Sequence, residues 1–235
     1  MVRPFICFYN KYLHSNNRNG YFRVYGENNM TNKKINKNAD SNPAFDELFL
    51  QGKNDPPKFA ALWFSQDGDM GMYFYGYKNA TKILLDWFSK SNGDNATVYP
   101  LIFLIRHTVE LGLKESIRKA KLLGFKSNSV SKKDLAGIWR THNLRELSRI
   151  LAKLLESLKI GECEDWNESK EFLDQWQDAD PHATFGKYPS STKGIPQEVK
   201  GIISAWKITV MGMKTIEVLE NILSMLEDYL DLANE

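Results

Sequence analysis

Residues 99–118 read YPLIFLIRHTVELGLKESIR. Leu, Ile, Val and Phe fall on nearly every side of a helix drawn through this stretch, which marks an element surrounded by other elements. Arg106, His107, Glu110 and Lys114 interrupt it. Positions three and four apart share a helix face, so Glu110 lies on one stripe with His107, Lys114 and Arg106. A buried carboxylate is costly unless paired, and here it has three candidate partners. Two readings stay open. The stripe is a polar cluster on an inner or half-inner face, available for chemistry. Alternatively, Glu110–Lys114 is an ordinary surface pair worth a few tenths of a kcal/mol, with His107 filling a core gap.

Working outward, helix signals follow one another. Apolar residues around Ile83, Leu84, Trp87 and Phe88 predict a first helical region within residues 60–90, its start blurred by Gly68, Gly71 and Gly76. A second helix is expected over about 97–123, with Pro100 in its first turn and Gly124 ending it. A polar linker, KSNSVSKKD, follows. The third helix begins after Asn143, which has capping-box spacing to Glu146. It carries the stripe Leu144, Leu147, Ile150, Leu151, Leu154, Leu155 and Leu158. A fourth helix is expected over about 166–178. The last is expected from Pro196 to about Leu232. Its apolar residues recur every three or four positions, and a second row (Ile202, Val218, Ile222, Met225, Tyr229) suits either a dimer interface or packing against the N-terminal arm.

The pattern predicts an all-α, up-and-down bundle of about five helices over residues 58–235. Residues 1–57 are rich in Asn, Lys and Gly and read as a loosely structured arm, partly disordered, with one strand candidate at 21–25.

Bulk properties exclude several classes. The chain has 235 residues, enough for a real core in one domain. A net charge of +2 does not by itself argue for nucleic acid, so any basic surface must come from clustering. Cys7 and Cys163 are too few and too far apart for a disulfide framework or a zinc site. No metal or other cofactor is expected. No stretch approaches the roughly 20 apolar residues of a membrane span, and there is no long apolar leader, so a cytoplasmic protein without membrane contact is expected.

Two further segments carry candidate residues. His142 precedes the third helix, beside Arg140. A helix start favours anions, so the pair can bind phosphate or do acid–base chemistry, or His142 can simply pack against the second helix. An antiparallel return of the chain puts His142 near Lys114, and a crossing return puts it near Glu110. The loop DADPHATFGKYPSSTKG offers Asp178, Asp180, His182, Lys187, Tyr188 and Lys193. Its spacing matches no metal motif. Lys187-Tyr188 can contact a phosphate and stack a base, or can anchor an ordinary loop.

FLIRHTVELGLK, then THNLRELSRIL, then FGKYP together resemble the HEPN (higher eukaryotes and prokaryotes nucleotide-binding) superfamily. The similarity is to bacterial branches with an Arg/His-x-x-Glu-Leu-x-Leu-Lys helix, an HDL helix start and a FRYP-like loop. It covers residues 60–232. Here the second motif has Asn143 where Asp is usual, and the third has an extra residue and Lys187 for Arg. The resemblance implies a helical bundle, often dimeric, in toxin–antitoxin and phage-defence systems. It also implies metal-independent ribonuclease activity through an Arg-x(4–6)-His motif shared across a dimer. No histidine of this chain follows an arginine at that spacing.

The resulting expectation is a protein that binds RNA or a nucleotide, forms a homodimer and works with a partner protein of the same defence system. One alternative is a metal-independent endoribonuclease using His142 or His107 as base and Arg106 or Arg140 to stabilise the phosphorane, with Glu110 in the same cluster. Lys114, Arg140, Lys187 and Tyr188 are the candidate ligand-binding residues. The other alternative is a structural or regulatory dimerisation bundle.

Overall fold

The computed structural model describes residues 70–91, 95–123, 130, 132–160, 164–187 and 205–233. The expected N-terminal arm, the 21–25 strand, both cysteines, Tyr188 and the start of the last helix at Pro196 lie outside these residues. The described residues form six helices and no strands: α1 (Gly71–Lys90), α2 (Asn95–Leu122), α3 (Lys132–Gly137), α4 (Leu144–Ser157), α5 (Glu164–Ala179) and α6 (Ala205–Ala233). The all-α bundle is what forms. The count is one above the expected five because α3 lies inside the polar linker, too short to show a hydrophobic period. None of these helices is long and apolar enough to cross a membrane.

α2 is the axis of the bundle and packs against α1, α4 and α6. Leu101, Ile102, Ile105, Val109, Leu113 and Ile117 are each at most 1% exposed, as a helix apolar on all sides requires. Pro100 falls in the second turn of α2, because the helix begins at Asn95; there it forfeits one helical hydrogen bond. α1 runs antiparallel to α2: Met70 N donates to Glu115 Oε2 at one end, Phe74 meets Gly112, and the Thr81 and Thr108 hydroxyls pair at 3.2 Å. α6 runs parallel to α2, through Gly212 against Ile105, Leu219 against Gly112 and Glu227 against Lys119. α6 is antiparallel to α5, with Trp176 against Gly212 and Asp165 and Glu168 on Lys214, so the departure from a strict up-and-down order of five helices lies between α2 and α4.

α4 buries Leu144, Leu147, Ile150, Leu151, Leu154 and Leu155, the predicted stripe. It forms an antiparallel hairpin with α5, tied by Arg145 to Asp174 and Asp178. Val218 and Ile222 of α6 are buried in the core, so the middle of the row proposed as dimer surface is occupied. The exposed apolar residues of α6 sit near its ends, at Trp206, Val210, Tyr229 and Leu232.

Gly212 is required by the α2–α6 approach: a Cβ there would overlap Ile105 Cγ2. Gly→Ala normally gains about 1 kcal/mol in a helix interior. Overpacking costs about 1–3 kcal/mol. Gly212→Ala is therefore expected to lower stability, and a denaturation midpoint at or above wild type would contradict this contact.

Candidate functional site

Four side chains of one α2 stripe meet two other segments. The first is the turn 141–143 that opens α4. Its local chemistry explains its position. Asn143 is the N-cap and accepts from Glu146 N at 3.0 Å. The Glu146 carboxylate does not return to the Asn143 N–H, as a capping box would have it. It accepts from Thr141 Oγ1, which accepts from Asn143 N. The free N–H of Leu144 goes to Gln177 Oε1, and Gln177 Nε2 donates to Pro181 O. The α4 start is thereby tied to the loop after α5.

The capped turn sets His142 over α2. Its Nδ1 lies 2.9 Å from Glu110 Oε1, and the same oxygen accepts from Lys114 Nζ at 2.8 Å. Glu110 and Lys114 are 5% and 3% exposed, which rules out the surface-pair reading. The His142 side chain is 61% exposed, so its imidazole is held from below and open on the other side. The chain thus makes the crossing return toward Glu110, with α3 in the connecting segment. Burial would raise the Glu110 carboxyl, but Lys114 and His142 outweigh it and hold Glu110 below the usual glutamate range.

Arg106 does not pair with Glu110 by hydrogen bond. It is 3% exposed, and its Nη2 donates to His142 O at 3.1 Å and to Asp180 O at 3.4 Å. Its Nε lies 3.3 Å from Asp180 Oδ2, an ion pair whose geometry is not that of a hydrogen bond. A guanidinium enclosed in this way is not placed to meet a phosphorane.

The second segment is the loop 180–187. Asp180 Oδ1 accepts from Thr184 N and Phe185 N, at 2.9 and 3.3 Å. Ala183 and Gly186 have φ of 55° and 84°. A Cβ on Gly186 would lie 2.6 Å from Tyr99 O, so glycine is needed both for its φ and for the close approach to α2. Lys187 follows, its Nζ 5.0 Å from the centre of the Phe103 ring.

Phe103 stacks on His107, with centroids 5.6 Å apart, and Tyr77 meets the same imidazole edge-on at 4.5 Å. His107 therefore packs among rings and also belongs to the polar cluster. Burial lowers its pKa; Glu110 opposes that, while Lys187, Lys114 and His142 reinforce it. The net effect favours its neutral form.

The structure thus brings together Arg106, His107, Glu110, Lys114, His142 and Lys187. Arg140 is exposed, and among the described residues no hydrogen bond or ion pair joins it to the cluster. Gln177 is the site residue that sequence reasoning passed over, and Asp180, named only as one of the polar residues of the loop, was not tied to Arg106. Asp180 was visible as a helix-end Asp before Pro181, yet nothing local tied it to α2. Among the described residues, no group of three or more His, Cys, Asp or Glu is placed to hold a metal.

No family model, curated protein or solved structure matches the chain. The site must therefore be judged on its own geometry.

That geometry offers an exposed cation, Lys187, from one segment and from another a histidine whose Nδ1 is engaged. The Nε2 on the opposite edge of that ring is left for an incoming group. Chemically, such an arrangement can receive an anion or relay a proton.

Proposed function

We propose that this protein is a HEPN-like bundle that binds RNA or a nucleotide through its phosphates, at the surface formed by His142 and Lys187 over the α2 stripe. The observation that carries the reading is the meeting of His107, His142, Lys187 and Lys114, drawn from three separated segments, within one electrostatic neighbourhood. A purely structural bundle has no need to assemble these side chains and leave two of them exposed. The HEPN resemblance supports the same reading, since the described parts of its three motifs belong to the segments that meet, and it implies a role in a bacterial defence or toxin–antitoxin system and a homodimer.

The test is binding of a labelled oligoribonucleotide across a salt series. Lys187→Ala should weaken binding for every sequence tried, and the slope of log affinity against log salt should flatten by about 0.7. Absence of binding by the wild-type chain at low salt would remove the proposal.

A second reading is favoured by one contact, His142 Nδ1 on Glu110. A carboxylate that holds one ring nitrogen fixes the tautomer and leaves Nε2 as a base. His142 would take the proton of a ribose 2′-OH, the 2′ oxygen would attack phosphorus, and the 5′ oxygen would leave as the proton is returned. Lys187 would stand beside the developing charge, in the role expected, from the sequence, of Arg106 or Arg140. Incubation with total RNA, with and without EDTA, separates this enzyme from a binder.

A further inference from the structure

Arg106 is a fully enclosed cation of the cluster, and it touches both segments facing the proposed ligand, which Gln177 also bridges from α5. One nitrogen, Nη2, donates to the carbonyl of His142 and to that of Asp180. Asp180 is 6% exposed and uses its two carboxylate oxygens differently. Oδ2 faces Arg106 Nε, while Oδ1 closes the loop by accepting from Thr184 N and Phe185 N. These two hydrogen bonds hold the turn in which Ala183, at φ 55°, adopts a left-handed conformation that is unfavourable for an L-residue. Beyond the turn, Gly186 seats the backbone on Tyr99 O, and Lys187 reaches the Phe103 ring.

We infer that Arg106 and Asp180 are positioning residues that act together as a clamp, fixing the Lys187 loop against the His142 turn and so setting the separation of the Lys187 and His142 side chains offered to phosphate. The inference rests on the proposed phosphate site for its purpose, but the mechanical link can be tested without any ligand. An isolated buried Arg–Asp pair gives weak net stability, because desolvation offsets attraction. A fixed spacing between two exposed groups is a reason to keep one. It also accounts for an arginine in a helix otherwise devoted to the core.

The ligand-free readout is the NMR titration of His107, assigned by comparison with His107→Gln. Lys187→Ala removes a cation that depresses this imidazole, so its pKa should rise. Asp180→Asn leaves Lys187 in the chain but should free its loop, and the His107 pKa should rise likewise. The sign is diagnostic: direct loss of the Asp180 charge would move His107 the other way. The double variant should move it no further than either single one. Asp180→Glu, one methylene too long to cap Thr184 and Phe185, gives the same reading should Asp180→Asn not fold. If Lys187→Ala shifts His107 and a folded Asp180 variant does not, the clamp is wrong. If Lys187→Ala itself leaves His107 unmoved, Lys187 is not seated on Phe103, and the clamp is equally wrong.

Oligoribonucleotide binding supplies the second arm. Asp180→Asn should weaken it by the same factor as Lys187→Ala, with no additional loss in the double variant. Independent, multiplying losses would show that Asp180 does not act through Lys187. A wild-type chain that binds no RNA would overturn the proposed function while the His107 titration still decides the clamp.

Discussion

Replacing Glu110 by alanine is expected to destabilise the protein by about 3–5 kcal/mol, the usual cost of removing one partner from a buried ion pair. For a domain of this size that corresponds to a fall in Tm of roughly 6–20 °C. Most of the loss comes from Lys114. Its side chain is 4% exposed, and its ammonium would be left in the core without the oxygen it now reaches at 2.8 Å. His142 contributes less, because it is largely in water and can rehydrate. The explanation carries its own control. Glu110→Leu combined with Lys114→Met removes both charges, and buried pairs replaced in this way by apolar residues are often neutral or better. The double variant should therefore recover most of the lost stability. An unchanged Tm in Glu110→Ala would mean that the pair is solvated.

The same group sets a pH dependence. The folded pKa of Glu110 lies below its unfolded value, so its contribution is complete above about pH 4.3 and is lost as the pH falls through the lower folded value. In Glu110→Gln that acid-side loss should be smaller than in wild type, which urea melts between pH 3 and pH 6 would show.

What was legible in the sequence was local. The interrupted apolar run of α2 announced both a central helix and a polar stripe, because helical spacing alone puts Glu110 beside Lys114. The cap at Asn143 was visible for the same reason, although Thr141 takes the place expected of the Asn143 backbone. The His142–Glu110 contact was within reach because the loop joining the two helices limits where His142 can land. The partner of Arg106 was not within reach. Helical spacing pointed to Glu110, but Asp180, 74 positions away, takes the guanidinium instead. Which of two carboxylates wins a buried arginine depends on how α5 ends against α2, and no short-range pattern carries that. Gly186 was equally silent, since its need for glycine comes from the Tyr99 carbonyl across the bundle. The second apolar row of α6 left a dimer interface and packing against the N-terminal arm both open, because the burial of Val218 and Ile222 depends on neighbours that a single helix does not reveal.

The second large effect concerns His142. If the protein cleaves RNA, His142→Ala should reduce the metal-independent rate by about 10²–10⁴-fold, the range typical of a lost general base. It should leave stability nearly unchanged, because the imidazole is exposed and Lys114 remains to neutralise Glu110. That separation of rate from stability distinguishes His142 from Glu110, whose loss should damage both. Glu110→Gln supplies an intermediate case. The amide can still meet Nδ1, but it can do so by donating a proton as well as by accepting one, so the tautomer with a free Nε2 is no longer imposed. A fall in rate with intact folding is expected there, smaller than for His142→Ala. His107→Gln should have the lesser effect on rate of the two histidine replacements, since His107 is packed between Phe103 and Tyr77. Cleavage by His142→Ala at the wild-type rate would end the enzymatic reading and leave phosphate binding as the function of the site. Cleavage lost in that variant, undiminished by EDTA in the wild type, would make His142 the base.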